Sequence, residues 1–255
     1  MPLNPPIRDW RGRRVWLVGA SSGIGAALAH ALARHGARLA LSARRAQALD
    51  EVAQACAPAE VMCLPLDVRD AAAMASAERD IVARWGGYDV VVLLAGHYQP
   101  RTVDEFELAA AREVLAVNID GAYHLLAAVL PRLLAAGAGA LVLVSSVAGY
   151  RGLPRSLVYG PSKAALNNLA EALHLELHAR GIGVTLVNPG FVRTPLTAGN
   201  PFPMPALIEP EEAAERAERL AEAGYEVRAF ASAEGAVMRE LRAGAIAAIA
   251  IDLGR

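Results

Sequence analysis

The sequence predicts an α/β protein, built as a doubly wound parallel sheet of about seven strands with helices on both faces. Short β-rich runs alternate with longer helical segments along the chain, which is typical of parallel strands joined by helical crossovers. Runs such as "DVVVLLA" are apolar without alternation, as expected for strands buried on both faces. No linker or low-complexity segment interrupts the chain, so residues 1–255 are predicted to form a single domain.

The predicted elements follow one another in a regular order. Helical periodicity favours helices from Ile24 to His35, from Ala71 to Trp85 and from Phe106 to Leu134. Near the C-terminus "GYEVRAF" alternates as a seventh strand does, whereas "ELRAGAIAAIAIDLGR" is compatible with helix or strand. The first six strands are expected at "RVWLVG", "ARLALS", "VMCLPL", "YDVVVLLAG", "ALVLVSS" and "GVTLVN".

Composition and charge exclude several classes of function. The formal net charge is -1, so no overall field would attract nucleic acid or an anionic membrane. The start of the chain lacks the apolar core of a secretion signal, and no run of about 18 strongly apolar residues predicts a membrane span. The two cysteines, Cys56 and Cys63, fit neither a metal knuckle nor a disulfide framework. We therefore expect a soluble cytoplasmic protein without a metal.

The first strand runs directly into a glycine-rich turn. "GASSGIGAALAHAL" places Gly19, Gly23 and Gly25 in this turn and at the opening of the next helix. Glycine lets the backbone come close to a pyrophosphate, and the helix N-terminus supplies free amides and the positive end of its dipole. The turn therefore predicts a phosphate site, although tight packing of strand against helix would require the same glycines.

A tyrosine and a lysine stand four residues apart in "YGPSK", where a proline marks the first turn of a helix that runs on to Arg180. Positions i and i+4 lie on one helix face, so Tyr159 and Lys163 point at the same small volume. A nearby positive charge favours phenolate. We therefore expect Lys163 to lower the pKa of Tyr159 toward the range of an acid-base catalyst.

The G-x-x-x-G-x-G turn and the Y-x-x-x-K pair together resemble the short-chain dehydrogenase/reductase family, in its ordinary single-domain form with a Rossmann-type fold. The resemblance implies that Tyr159 is the general acid in carbonyl reduction and the general base in alcohol oxidation. Counting back 13 residues from Tyr159 reaches Ser146, which would hydrogen-bond the substrate oxygen, with Ser145 as its near rival. Lys163 would also hold the nicotinamide ribose, and Asn118 in "VNIDG" would hold a water that links Lys163 to solvent.

The same resemblance implies a nicotinamide dinucleotide cofactor. "LDVRD" resembles the segment that holds the adenine, and "NPGFVRTP" resembles the segment that lies along the nicotinamide. "LLAGH" takes the place of the family's Asn-Asn-Ala-Gly, and we interpret Leu93 and Leu94 there as a structural variation. The predicted cofactor-binding residues are Gly19, Ser21, Ser22, Gly23, Ile24, Gly25, Arg44, Arg45, Asp67, Val68, Ala95, Gly96, Tyr159, Lys163, Pro189, Gly190, Val192 and Thr194.

The end of the second strand predicts which coenzyme is used. An acid there accepts the ribose 2'-hydroxyl of NAD, whereas an arginine accommodates the 2'-phosphate of NADP. This chain reads "LALSARR", with Ala43 where NAD-preferring relatives carry aspartate, followed by Arg44 and Arg45. The sequence therefore favours NADP(H) over NAD(H). The alternative is that both arginines only cap a strand end that faces solvent.

Together these features predict hydride transfer between NADP and a small apolar ketone, aldehyde or secondary alcohol. Residues 191–208 are apolar and proline-rich, which suits a lid over such a substrate; plain packing against the body fits nearly as well. The inner wall of the lid would comprise Phe191, Leu196, Phe202 and Met204. A 3-oxoacyl carrier-protein reductase is the enzymatic alternative. A protein that senses NADP without turning it over is the alternative of another class.

Three further features of the sequence each have two interpretations. His174 and His178 have a spacing that suits zinc, but no third ligand is evident, and a solvated or packed helix face explains them better. His97 follows the glycine after the fourth strand and either lines the pocket or has no function. The helices that contain Asn118 and Tyr159 are rich in Ala and Leu, which predicts the interface of a homodimer or homotetramer, although burial gives the same composition.

Overall fold

The computed structural model describes residues 4, 6–200, 202–223 and 227–230, with residues 220–223 and 227–230 described by their backbone only. Its strands are β1 (Arg14–Val18), β2 (Arg38–Ser42), β3 (Val61–Cys63), β4 (Val90–Leu93), β5 (Gly139–Val144), β6 (Ile182–Pro189) and β7 (Val227–Phe230). All seven are parallel, in the spatial order β3-β2-β1-β4-β5-β6-β7. The predicted parallel sheet is confirmed, and Val227–Phe230, the described part of "GYEVRAF", forms its seventh strand. The segment "ELRAGAIAAIAIDLGR" lies outside the described residues.

Helices cover both faces of the sheet, as the sequence predicts. They are α1 (Gly23–Arg34), α2 (Ala46–Ala55), α3 (Ala71–Trp85), α4 (Leu108–Leu115), α5 (Gly121–Ala136), α6 (Tyr159–Leu177) and α7 (Pro210–Ala223). The bounds of α3 agree with the prediction at both ends. Asp70 explains its start, because the carboxylate accepts hydrogen bonds from the amides of Ala72 and Ala73 and so caps the first turn.

Strand β1 shows why the central strands are apolar at every position. Val15 and Leu17 are buried in the cluster that includes α1 and α2, whereas Trp16 and Val18 are buried in the opposite cluster with α3 and α5. Successive side chains of a strand point to opposite faces, so a strand covered on both sides has no polar positions. The one polar group of these four side chains, Trp16 Nε1, donates to Ser42 Oγ at 3.0 Å.

The predicted helix from Phe106 to Leu134 is not one regular α-helix in the structure, because a π turn interrupts it. Residues Ala116–Asp120 form a π turn between α4 and α5, and Asn118 lies in this turn. The run Leu108–Ala136 is long and apolar enough to cross a membrane by length and composition, a test that the core helix of a folded domain also passes. Gly121 packs against Val68, where a Cβ atom would come within 2.9 Å of Val68 Cγ2. The π turn thus lies beside the segment that follows β3.

The order of the strands reverses between β1 and β4, because the chain moves outward to β3 on one side and to β7 on the other. In doubly wound sheets, ligands bind in the crevice beyond the carboxyl ends of the strands at this switch point. The glycine turn after β1 and the Ala95-Gly96 segment after β4 both lie there.

Candidate active site

The turn after β1 packs directly against the segment that follows β4. Gly19 has φ +105°, and a Cβ atom there would lie 2.4 Å from the backbone nitrogen of Ala95. The amides of Leu94 and Ala95 both donate to the Val18 carbonyl at 2.8 Å. A side chain at Gly19 would therefore collide with main chain that is fixed by two hydrogen bonds. Because the backbone itself ties this segment to β1, it is held without the paired asparagines of the family pattern.

The N-terminus of α1 opens on the same crevice. A Cβ atom on Gly25 would lie 2.2 Å from the Gly19 carbonyl oxygen, so this position also requires glycine. Ser22 is the N-cap residue, but its side chain makes no capping hydrogen bond. The first amides of a helix have no intrahelical partner, and the positive end of the dipole lies there. This turn therefore fits a pyrophosphate group.

A cleft of about 530 Å³ extends across the switch point, which is within the range of small-molecule and cofactor sites. Twelve of the predicted cofactor-binding residues line it: Gly19, Ser21, Ser22, Ile24, Gly25, Arg44, Arg45, Asp67, Val68, Ala95, Gly96 and Thr194. Ten further lining residues were not among them: Ala43, Leu66, Arg69, Leu94, His97, Glu113, Val117, Val144, Pro195 and Leu196. The predicted phosphate turn, adenine segment and pair of arginines therefore share one cleft.

The other six predicted cofactor-binding residues lie outside the lining of this cleft: Gly23, Tyr159, Lys163, Pro189, Gly190 and Val192. Pro189 ends β6 and lines a small apolar cavity of about 20 Å³ on the α1 side of the sheet. Val192 is buried in a cluster with Ile208, and Gly190 is only partly buried. Gly23 contacts the same segment, because a Cβ atom there would lie 2.8 Å from Thr194 Cγ2.

Three of the four predicted catalytic residues meet at the start of α6. The Ser146 side chain lies close enough to the Tyr159 phenol for hydrogen bonding to oppose the rise in its pKa, and Lys163 Nζ lies 5.6 Å from the centroid of the Tyr159 ring. Lys163 is only 3% exposed, and its Nζ donates to the Val144 carbonyl at 3.1 Å. Ser145, the near rival of Ser146, instead donates to the Lys163 carbonyl at 2.9 Å. Ser146 is therefore the serine that contacts the tyrosine.

Asn118, the fourth predicted residue, is buried in the π turn and connects two neighbouring segments. Its Oδ1 accepts from the His97 amide at 2.7 Å, and its Nδ2 donates to the His97 carbonyl at 3.0 Å and to Ser162 Oγ at 2.9 Å. A Cβ atom on Gly96 would lie 3.7 Å from Asn118 Oδ1 and 3.6 Å from Lys163 Nζ. Asn118 therefore joins the end of β4 to the first turn of α6, next to the lysine.

The electrostatics of the pair differ from the expectation that the ammonium lowers the pKa of the phenol. Burial raises the pKa of Tyr159 to about 12, and the hydrogen bond from Ser146 offsets only part of this effect. Burial also lowers the pKa of Lys163 to about 8. The physical reason is that desolvation penalises both charged forms, and that Nζ is hydrogen-bonded to Val144 rather than to the phenol. At neutral pH the phenol is therefore protonated in this arrangement.

Several residues of the site were not predicted. The Tyr98 ring makes a T-shaped contact with the Tyr159 ring, with centroids 4.7 Å apart. Asn188, at the end of β6, accepts from the Ser146 amide at 3.1 Å and donates to the Tyr150 hydroxyl at 2.8 Å. Asn188 lies in β6, and Tyr98 and Tyr150 lie in the segments that follow β4 and β5. Their position at the same edge of the sheet is the signal that could have identified them.

His174 on α6 and His178, which directly follows this helix, do not form part of this site. The rings of His174 and His178 lie 5.1 Å apart. Within the described ranges, no group of three or more His, Cys, Asp or Glu side chains has the arrangement of a metal site. Packing between the two rings is sufficient to explain their spacing.

The fold, the glycine turn and the tyrosine-lysine pair define an oxidoreductase of the nicotinamide-dependent class. The short chain dehydrogenase family model matches residues 13–201, and the chain belongs to this family. Over 206 residues it is 41% identical to an uncharacterized oxidoreductase of Myxococcus xanthus, which covers 80% of this chain and 81% of that protein. Members of the family use NAD(H) or NADP(H).

Solved structures agree with this assignment. The alcohol dehydrogenase from the archaeon Thermococcus sibiricus, complexed with 5-hydroxy-NADP, is similar with a TM-score of 0.79 and 28% identity, over 87% of this chain and 97% of that chain. A short-chain dehydrogenase/reductase from Serratia marcescens is similar with a TM-score of 0.78 and 28% identity, over the same shares of the two chains.

Proposed function

We propose that the protein is an NADP-dependent oxidoreductase that transfers a hydride between the nicotinamide and a small apolar ketone, aldehyde or secondary alcohol. The observation that carries this proposal is the contact of Ser146 with Tyr159 beside a buried Lys163. These three groups lie beyond the carboxyl ends of the strands, next to a cleft that fits a dinucleotide. A binding protein without turnover would not need a buried lysine beside a half-buried phenol.

Each of the three side chains has a distinct task in carbonyl reduction. The bound nicotinamide cofactor supplies the hydride. The Ser146 hydroxyl hydrogen-bonds the substrate oxygen, and Tyr159 donates the proton that this oxygen needs as it becomes a hydroxyl. The raised pKa of Tyr159 keeps the phenol protonated, which is the form of a general acid. Lys163, charged below about pH 8, stabilises the phenolate that remains.

The charges at the β2 end of the cleft support NADP as the coenzyme. Arg44 and Arg45 both line the cleft directly after β2, and no carboxylate follows that strand in the "LSARR" segment. A guanidinium makes paired, charge-assisted hydrogen bonds to phosphate oxygens. The similar archaeal alcohol dehydrogenase, whose structure contains 5-hydroxy-NADP, supports the same choice.

The direct test of the function is to follow NADPH consumption with a panel of aliphatic ketones, aromatic ketones, aldehydes and acyl-thioester ketones. Turnover of simple apolar carbonyls supports the proposal. Preference for acyl-thioester ketones would identify a 3-oxoacyl carrier-protein reductase instead. Tight NADPH binding with no turnover across the panel would identify a coenzyme-sensing protein.

Residues 191–208 are proposed to form the lid over the apolar part of the substrate. A β-bridge between Val192 and Ile208 ties the two ends of the segment together. The Phe191 and Phe202 rings lie 6.1 Å apart within it, and Leu196 lines the cleft. The lid therefore presents apolar side chains on a closed loop whose base is fixed.

Shortening Phe202 to alanine is expected to raise KM for bulky ketones by roughly three- to tenfold, because part of a phenyl contact with the substrate is lost. The Kd for NADPH should not change. Phe106→Ala is the matched control, because Phe106 is a phenylalanine outside this segment that is 53% exposed. A fall in melting temperature with unchanged KM would show that Phe202 only packs against the body.

The outer faces of α4, α5 and α6 are proposed to form the interface of a homodimer or homotetramer. Exposed apolar side chains lie on all three helices. Single exposed apolar residues are common on protein surfaces, whereas a group of them on adjacent helices indicates an interaction surface. They are Leu108, Leu115, Tyr123, Leu134 and Leu175, each 40% to 80% exposed.

A charge in this surface is expected to reduce the oligomer to monomers. Tyr123→Glu should do so because the carboxylate would be buried without a partner in the assembled form. The mass in solution, measured by light scattering, checks this for the parent and the variant. Val103→Glu is the control on an exposed apolar residue outside the three helices. A parent that is already monomeric contradicts the interface.

A further inference from the structure

The turn between β3 and α3 carries an ion pair that lines the predicted adenosine end of the cleft. Arg69 Nε donates to both carboxylate oxygens of Asp67 at 3.1 Å, and its Nη2 donates to Oδ2 at 2.6 Å. The Arg69 amide also donates to Asp67 Oδ1 at 3.0 Å. Both oxygens of the carboxylate are therefore bound by the same arginine. Neither residue is far from solvent, with side-chain exposures of 45% for Arg69 and 27% for Asp67.

The backbone around this pair is fixed by contacts from three directions. The Asp70 amide donates to the Asp67 carbonyl at 3.0 Å, and the Asp70 carboxylate caps α3. His124 Nδ1 lies 2.9 Å from the Val68 carbonyl oxygen. These contacts therefore hold the backbone of the turn in place, and the turn holds the Asp67 carboxylate at the wall of the cleft.

The pair lies within electrostatic range of the arginine at the end of β2. Arg69 and, at longer range, Arg44 hold the pKa of the Asp67 carboxyl below its usual range. Arg44, Asp67 and Arg69 all line the same cleft. A carboxylate without its own cation would therefore attract Arg44 and repel an anionic ligand that binds there.

A contribution to stability does not account for this arrangement. Exposed ion pairs contribute little to the free energy of unfolding, because solvent screens the charges and two long side chains lose freedom. Arg84 and Glu60 form such a pair on the outer surface, at 3.2 Å. The Asp67-Arg69 pair differs because both of its residues line the cleft. Asp67 is also the one acidic residue of the described segment between β3 and α3 that lines the cleft.

We propose that Arg69 is a specificity-determining residue for the 2'-phosphate of the coenzyme, because it binds the Asp67 carboxylate and so prevents that carboxylate from competing with the phosphate for Arg44. The inference rests on the proposed NADP function. Arg69 acts through Asp67 rather than by touching the phosphate. The charges of the pair cancel, and Arg44 and Arg45 remain as the positive charges at this end of the cleft.

The experiment compares the binding of two fragments, 2',5'-ADP and 5'-AMP, by titration calorimetry. Both contain adenosine, so a change in adenine contacts affects them alike, and the ratio of their Kd values reports the 2'-phosphate alone. Arg69→Ala is expected to lower the preference for 2',5'-ADP by about three- to tenfold, the size of one unit charge acting on a phosphate through water. The loss should be smaller at high salt, because exposed charges are screened.

A double variant separates an indirect effect from a direct one. Asp67→Asn in the Arg69→Ala background is expected to restore the preference, because the segment after β3 then places no carboxylate in the cleft. Arg69→Lys should keep most of it, and Arg69→Gln is a second charge-removing variant if the alanine variant does not fold. Arg79→Ala is the matched control, since it removes one exposed arginine of α3 that does not line the cleft.

The outcomes are distinguishable. An unchanged fragment ratio in Arg69→Ala, with a parent that prefers 2',5'-ADP, overturns the inference and leaves the NADP assignment intact. A double variant that does not recover also overturns it, and assigns a direct phosphate contact to Arg69. A parent with no preference for 2',5'-ADP overturns both this inference and the assignment of NADP.

Discussion

Replacing Tyr159 by phenylalanine is expected to lower turnover by about a hundredfold or more, the scale of general acid-base catalysis, while NADPH binding is retained. The substitution removes only the hydroxyl that lies beside Ser146. The ring remains, and with it the T-shaped contact with Tyr98. Because the phenol is the proposed proton donor, the loss should appear in kcat more than in KM.

Two other tyrosines of the same neighbourhood serve as controls for this substitution. Tyr98→Phe keeps the ring against Tyr159, and Tyr150→Phe removes a hydroxyl that accepts a hydrogen bond from Asn188. Neither hydroxyl is assigned the proton transfer, so both variants should stay within about tenfold of the parent. Near-normal turnover in Tyr159→Phe, measured with the best ketone of the panel, would sink the mechanism.

Replacing Arg44 by alanine is expected to reduce the preference for NADPH over NADH by roughly ten- to a hundredfold. Charge-assisted hydrogen bonds from a guanidinium to phosphate contribute about 1.5 to 3 kcal/mol, and NADH has no phosphate at the ribose 2' position. Arg44 follows β2 directly at the cleft wall. Since the bonds are lost only for NADPH, kcat/KM for NADH should change little.

The neighbouring positions give this prediction its controls. Arg45→Ala removes the adjacent guanidinium and is expected to change the coenzyme preference less than Arg44→Ala does. Arg44 lies nearer to the end of β2, whereas Arg45 is already the N-cap residue of α2. Ala43→Asp introduces the carboxylate of NAD-preferring relatives and should shift the preference toward NADH. Equal use of both coenzymes by the parent, or an Arg44→Ala variant that keeps its NADPH preference, would falsify the assignment.

The sheet and most helices could be predicted from the sequence because their signals are local. Strands that are buried on both faces are apolar throughout, and Asp70 marks the start of α3 by its short side chain. The tyrosine-lysine pair was also predictable, since i and i+4 on one helix face is a property of any helix. The long helix was predicted as regular, because hydrophobic residues continue through the π turn that contains Asn118.

The pKa of Tyr159 could not be predicted in the same way. Its direction depends on how much water the folded chain excludes and on where Lys163 Nζ finds a hydrogen-bond acceptor. The acceptor is a carbonyl of β5, which is distant in sequence. The pairing of Arg69 with Asp67 was missed for a different reason, because "LDVRD" was interpreted only as the adenine segment and the sequence does not show which side chain binds the Asp67 carboxylate.

The π turn at Ala116–Asp120 has a geometric consequence for the two helices it joins. An α-helix rotates by about 100° per residue, so one residue added to a turn changes the angular phase of everything that follows. Asn118 can therefore point at His97 and Ser162 while α5 keeps its own apolar side on the sheet. Deleting a single residue within 116–120 would regularise the helix and turn either the asparagine or the apolar side of α5 away from its partners. Length, and not only residue identity, is thus constrained at this point of the chain.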